Sequence, residues 1–166
     1  MSKKPLIIST DPGIDDIAAM TISLFADELD VKMIVPTWGN VSLAHTLQNT
    51  LDLENFLHTK VPVVKGANQP LVRPAISAAS VHGETGIAGF EFEKASDELL
   101  EPGLAATKMY EAIKNSPEKV TLLGVGPLTD FALLFKQYPD VVENIAEVYI
   151  MGGNIGHGNH LSLIHI

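Results

Sequence analysis

The sequence predicts an α/β protein built on an open, mostly parallel, Rossmann-like sheet with helices on both faces. Three observations carry this prediction. Short apolar runs alternate with segments whose apolar residues recur at helical spacing. The short runs are nearly continuous in apolar character, as expected of strands covered on both faces. Each ends in a turn of Gly, Pro or polar residues, and strands that each feed a helix pair in parallel through right-handed crossovers. The 166 residues amount to one domain's worth of chain.

Taken in order, Leu6-Ile7-Ile8 reads as a buried strand that runs into Ser9-Thr10-Asp11 and is broken by Pro12-Gly13. Ile14, Ile17, Ala18, Thr21, Ile22 and Phe25 then mark an apolar helical face. Asp30 to Pro36, with Val31, Ile34 and Val35, gives a second strand, closed by the turn Trp38-Gly39-Asn40. Leu43, Leu47 and Leu51 step by four and carry a second helix to about His58; Val61 to Val64 is a third strand, stopped at Lys65-Gly66. Between Gly66 and Glu101 the sequence predicts no long element, only a short helical turn within Ala75 to Ser80. Unstructured stretches of that length are usually functional or disordered, and this one carries His82-Gly83-Glu84-Thr85-Gly86. Pro102-Gly103 opens a third long helix with Ala105, Met109, Ala112 and Ile113 on one face. Val120 to Val125 is a fourth strand, stopped by Gly126-Pro127. Leu128, Phe131, Ala132 and Phe135 mark a fourth helix, and Val148 to Met151 a fifth strand ending at Gly152-Gly153.

Composition narrows the function. A formal charge of −9 offers no basic stripe for nucleic acid, and zero cysteines exclude disulfide and thiol chemistry. No apolar run is long enough to cross a membrane, and the basic start Met1 to Pro5 precedes too short an apolar run for a signal peptide. A cytoplasmic location is the expectation.

In a parallel sheet all five strand ends lie along one edge, where open α/β sheets place their sites. The first of them crowds Asp11, Asp15 and Asp16 into six residues. Three such carboxylates repel one another and lose solvation if the site is closed. A hard divalent cation, held through oxygens, relieves both problems. Helix capping is the plainer alternative: the first-turn dipole favours Asp15 or Asp16, although Asp11 lies before the Pro-Gly turn. Asn40 fits a helix cap as well as a site residue.

Asp11-Pro12-Gly13-Ile14-Asp15-Asp16, Gly39-Asn40, His82-Gly83-Glu84-Thr85-Gly86, Gly126-Pro127-Leu128-Thr129 and Met151-Gly152-Gly153 together resemble the inosine/uridine-preferring nucleoside hydrolase family, in its order and at its spacing. The resemblance covers about Pro5 to Asn159 and implies the nucleoside hydrolase fold. It also implies cleavage of the N-glycosidic bond of nucleosides, to ribose and free base, with a tightly held Ca²⁺. Asp11 would be the general base toward a Ca²⁺-activated water and a metal ligand, Asp16 a second ligand, and the Val125 carbonyl a third. Asp15 would accept the ribose hydroxyls, and Asn40 would hold the ribose and orient the water. Met151 and Asn159 would line the ribose, and His82 would lie near the leaving base. An acidic pocket suits the oxocarbenium-like state of such a reaction.

The end of the chain departs from the family. After Asn159 the family's ribose-gripping segment is absent, as is the C-terminal part with a further Ca²⁺ aspartate, and the last six residues match nothing in its pattern. The expectation is therefore a hydrolase N-terminal part over residues 1–160, a non-native tail over 161–166, weak Ca²⁺ binding, and a chain inactive as written. Apolar surface left bare on the sheet is a further expectation. A homo-oligomer is expected of the full-length protein. The base preference is not legible. Two rivals remain: a nucleoside-binding protein of the same fold without catalysis, and an aspartate-nucleophile phosphatase. The latter needs a second Asp where Gly13 stands.

Overall fold

The computed structural model of the protein describes residues 2–152 except 73 and 77. Its centre is a six-stranded, all-parallel sheet of order β4-β3-β2-β1-β5-β6. The strands are β1 (Lys4–Thr10), β2 (Leu29–Pro36), β3 (Val63–Val64), β4 (Leu100–Glu101), β5 (Val120–Gly124) and β6 (Ile145–Ile150). The long helices are α1 (Ile14–Phe25), α2 (Leu43–Leu57), α4 (Ala105–Lys114) and α5 (Thr129–Gln137), and α3 (Ala79–His82) is a single turn.

β1 holds the middle, paired with β2 on one side and β5 on the other, and is buried from Pro5 to Thr10. Alternate residues of the strands serve the two faces. Ile7, Val35 and Leu122 pack against Met109 and Ile113 of α4 and Phe131 and Leu134 of α5. On the other face Ile34 packs with Met20 of α1 and Leu53 of α2. The main chain thus steps outward on one side of β1 through β4, then returns to the other side for β5 and β6. That reversal places the ends of β1, β2 and β5 side by side.

The structure corrects three expectations. There is a sixth strand: Leu100–Glu101 pairs with Val63–Val64 at the sheet edge. Two-residue strands carry no periodicity to read, and pairing alone creates this one. The expected helical turn is displaced to Ala79–His82. The apolar face expected of α1 is also not the buried one. Met20 and Ser23 face inward, with Ile17 and Leu24 partly covered, whereas Ile14, Ile22 and Phe25 are 54–70% exposed. The helix carries two apolar stripes, and spacing alone does not say which meets the sheet.

Among the described residues β6 pairs only with β5, and Val148, Tyr149 and Ile150 are exposed along it. The bare apolar surface expected of the sheet is therefore present at this edge. Among the described residues no helix is long and apolar enough to cross a membrane. Asn159 and residues 161–166 lie outside the described residues.

Candidate active site

The polar turns at the ends of β1, β2 and β5 meet around one side chain, Asp11. Pro12 and Gly13 stop β1 and aim the next residues into α1, so Asp11 stands at the junction with only 6% of its surface exposed. One carboxylate oxygen, Oδ2, accepts the main-chain N–H of Asn40 at 2.7 Å. The Asn40 side-chain amide donates back to the Asp11 carbonyl at 2.9 Å and reaches Asp16 Oδ2 at 3.3 Å. Asn40 is placed for this because Gly39 turns the chain directly over Asp11: a Cβ at Gly39 would collide with that carboxylate. Gly126, after β5, closes the other side, where a Cβ would stand 2.5 Å from Asp11 Oδ1 and 2.9 Å from its amide nitrogen. The Val125–Gly126 backbone therefore runs against the acid, and the Val125 N–H is bonded to the Ser9 carbonyl at 3.0 Å.

Asp16 is the second buried acid. Its Oδ1 accepts the Thr10 hydroxyl at 2.7 Å, and its Oδ2 accepts the Gly13 N–H at 3.1 Å. Asp16 thus caps the start of α1 through the Gly13 N–H while lying buried close to Asp11. Asp15 is exposed in the first turn of α1, so two of the three acids enter the closed site.

Burial is the dominant force on both carboxyls. Together with the charge of Asp16 it pushes Asp11 up to about 8, despite the hydrogen bond from Asn40. Asp16 is also raised, chiefly by burial, with the Thr10 hydroxyl opposing. Among the described residues no Lys, Arg or His forms an ion pair with either acid. Two desolvated carboxylates with raised proton affinity and no cationic partner are a donor set that a hard cation would satisfy. The set is partial. Among the described residues no group of three or more His, Cys, Asp or Glu is arranged around a metal, whereas calcium takes roughly six to eight oxygens.

His82, at the end of α3, meets the acidic turn from the long connection. Its ring lies against Gly13, where a Cβ would stand 2.8 Å from His82 Nδ1 and equally near the Asn40 amide. That Nδ1 is buried and has no hydrogen-bond partner among the described residues. Met151 continues past β6, its N–H bonded to the Gly124 carbonyl at 2.8 Å, and its side chain is half exposed. The structure thus brings Asp11, Asp16, Asn40, His82 and the Val125 backbone together, and leaves Asp15 and Met151 on the surface.

Three residues that hold these turns in place were not legible. Asp130, buried at the start of α5, accepts the Ala67 N–H with both oxygens at 3.0 Å, and burial raises its pKa. Beside it Trp38 Nε1–H points at the Thr129 hydroxyl, 3.4 Å away. Asn49, buried on α2, donates to the Pro12 and Thr85 carbonyls. For Asp130 and Asn49 the available signal was a polar residue on a helix face otherwise bound for the interior.

A model of the family described as inosine-uridine preferring nucleoside hydrolase matches residues 6–163. The non-specific ribonucleoside hydrolase RihC of Klebsiella pneumoniae subsp. pneumoniae is 47% identical over 156 residues, 93% of this chain and 51% of the relative. That of Escherichia fergusonii is 44% identical over 156 residues, with the same two shares. The purine-preferring ribonucleoside hydrolase from Gardnerella vaginalis superposes with a TM-score of 0.85 at 26% identity, over 91% of this chain and 49% of that one. The chain spans about half the length of the curated relatives it matches.

Proposed function

The chain belongs to the inosine-uridine preferring nucleoside hydrolase family, and on that premise we propose that its protein hydrolyses the N-glycosidic bond of ribonucleosides, with Ca²⁺ as cofactor. The observation that carries this reading is the buried Asp11–Asp16 pair, two carboxylates closed in by three strand-end turns and left without a cationic partner among the described residues. The name of the 47% identical relative, non-specific ribonucleoside hydrolase, supports the substrate class.

Asp11 and Asp16, with the Val125 carbonyl, would hold the cation. When bound, such an ion lowers the pKa of water near it and neutralises the two acids. Everything else falls to the chain. Asp11, fixed by the Asn40 N–H on its Oδ2, takes a proton from the attacking water at its carboxylate. Asn40, fixed by its bonds to Asp11, orients that water and the ribose. Asp15, exposed and adjacent, accepts the ribose hydroxyls. His82, with a buried ring nitrogen beside Gly13, lies toward the leaving base. Met151 would line the sugar, as would Asn159, which lies outside the described residues. The acidic surroundings favour the positive charge that develops on the sugar ring.

Residues 1–166 alone are proposed to turn over far more slowly than the full-length protein, because the described residues give only part of a calcium shell. A cytoplasmic homo-oligomer is the proposed full-length form. The deciding experiment measures free base released from several nucleosides by the full-length protein, with and without a chelator. Release that stops with chelator and returns with Ca²⁺ supports the reading. Nucleoside binding without any release would instead identify a binding protein.

A further inference from the structure

We propose that Asn49 is a positioning residue, the tether that holds the His82-bearing connection closed onto the acidic turn. The proposal rests on the hydrolase reading for its consequence in catalysis, and on geometry for its existence. Asn49 projects from the second turn of α2 and is 5% exposed. Its single amide nitrogen faces two carbonyls from opposite parts of the site. One is Thr85, at 2.8 Å, in the glycine-rich connection; the other is Pro12, at 3.3 Å, directly after Asp11. One NH₂ group has two donors, and both are used.

Gly86 shows how tight this junction is. It has φ +89°, and a Cβ there would stand 3.1 Å from Asn49 Nδ2, from the Pro12 carbonyl and from Val41. The connection is therefore pressed against α2 and the acidic turn at one point, and Asn49 is the polar group at that point. A second tie lies upstream, where the Ala78 N–H donates to the Asn40 carbonyl at 2.9 Å. His82 stands between the two ties, on the one-turn helix α3. The segment after it is folded on itself, with the Gly86 N–H on the Gly83 carbonyl at 3.1 Å and the Ala88 N–H on the His82 carbonyl at 3.0 Å. These bonds are local, so they set the shape of the connection without setting its distance from Asp11. Among the described residues, the Ala78 and Asn49 bonds are ties that reach from this segment to the turns around Asp11. Losing the Asn49 tie frees the glycine-rich side to swing and carries the His82 ring off Gly13.

The test uses the full-length protein and two variants that open the junction from opposite sides, Asn49→Ala and Gly86→Ala. Hydrogen exchange of the amides at 82–88 should accelerate at least about tenfold in both, while β1 and β5 amides keep their protection. With saturating inosine, kcat per folded enzyme should fall about tenfold or more with KM changed by less than about threefold, since sub-ångström placement of reacting groups governs rate. Unchanged exchange at 82–88, or equal acceleration throughout the molecule, overturns the tether. Local acceleration with kcat unchanged overturns its positioning role. A wild-type protein that releases no base would sink the hydrolase reading alone, and exchange would still decide the tether.

Discussion

Asp11 makes the metal-free protein less stable as pH rises, and the substitution Asp11→Asn should remove its share of that slope. In the folded protein Asp11 is raised to about 8 by burial and by Asp16, against an ordinary value of 3.8. Between those two values the folded state keeps a proton that the unfolded state has released. Stability therefore falls with rising pH across that window. Each unit is worth about 1.4 kcal/mol, so moving from pH 5 to pH 7 costs up to about 3 kcal/mol from this group. Asp16, Glu54 and Asp130 are also raised by burial and tilt the same way. Asp11→Asn isolates the one contribution, because Asn has no proton to lose and still offers an oxygen to the Asn40 N–H. The assay is urea unfolding followed by circular dichroism, in chelator, at pH 5, 6 and 7. The stability of Asp11→Asn relative to wild type should grow by about 3 kcal/mol over that interval. If the proposed site holds Ca²⁺, saturating Ca²⁺ should reverse the wild-type slope, since an ion held by carboxylates favours the ionised folded form. A difference between the two proteins that stays constant with pH in chelator would refute the reasoning, because it would mean that Asp11 is already ionised in the fold.

Other consequences follow from the same geometry. Gly39→Ala and Gly126→Ala each drive a methyl into Asp11; either should cost about 1–3 kcal/mol of stability in denaturant titrations and, in the full-length protein, abolish the proposed base release. Asp130→Ala strips the Ala67 N–H of its acceptor inside the fold. Its expected cost of about 1–3 kcal/mol is measurable by thermal or urea unfolding, and an unchanged midpoint would show that water replaces the carboxylate. Met20→Ala removes the buried contact of α1 with Ile34 and Leu53 and should cost about 2–5 kcal/mol. Ile22→Ala, on the exposed stripe, should cost far less in the same assay, which checks the facing of α1 directly.

The sequence made the strand ends readable because Gly, Pro and Asn stop a strand for local reasons that need no partner. Asp11, Gly39-Asn40 and Gly126-Pro127 were placed on one edge by that logic, and the structure closes them around one carboxylate. The facing of α1 was not readable, because Ile17, Met20 and Leu24 form one apolar stripe and Ile14, Ile22 and Phe25 another. β4 was missed because two residues become a strand only by pairing with Val63–Val64. The depth of Asp11's burial, and so its raised proton affinity, depends on chain that returns from far away in sequence. Asn49 and Asp130 work through main-chain partners 36 or more positions away, and a main-chain carbonyl or N–H has no sequence signature.

The walls around Asp11 also fix a timetable for biosynthesis. Gly39 is made soon after the acid, but Gly126 emerges far later, behind β5. Until that strand docks beside β1, a nascent chain leaves Asp11 in water and ionised at ordinary acidity. The electrostatic penalty is thus deferred to a late, long-range docking step, which is the kind of pairing that folds slowly. Translation can carry the first four strands out of the ribosome before the wall that Gly126 builds over Asp11 is in place.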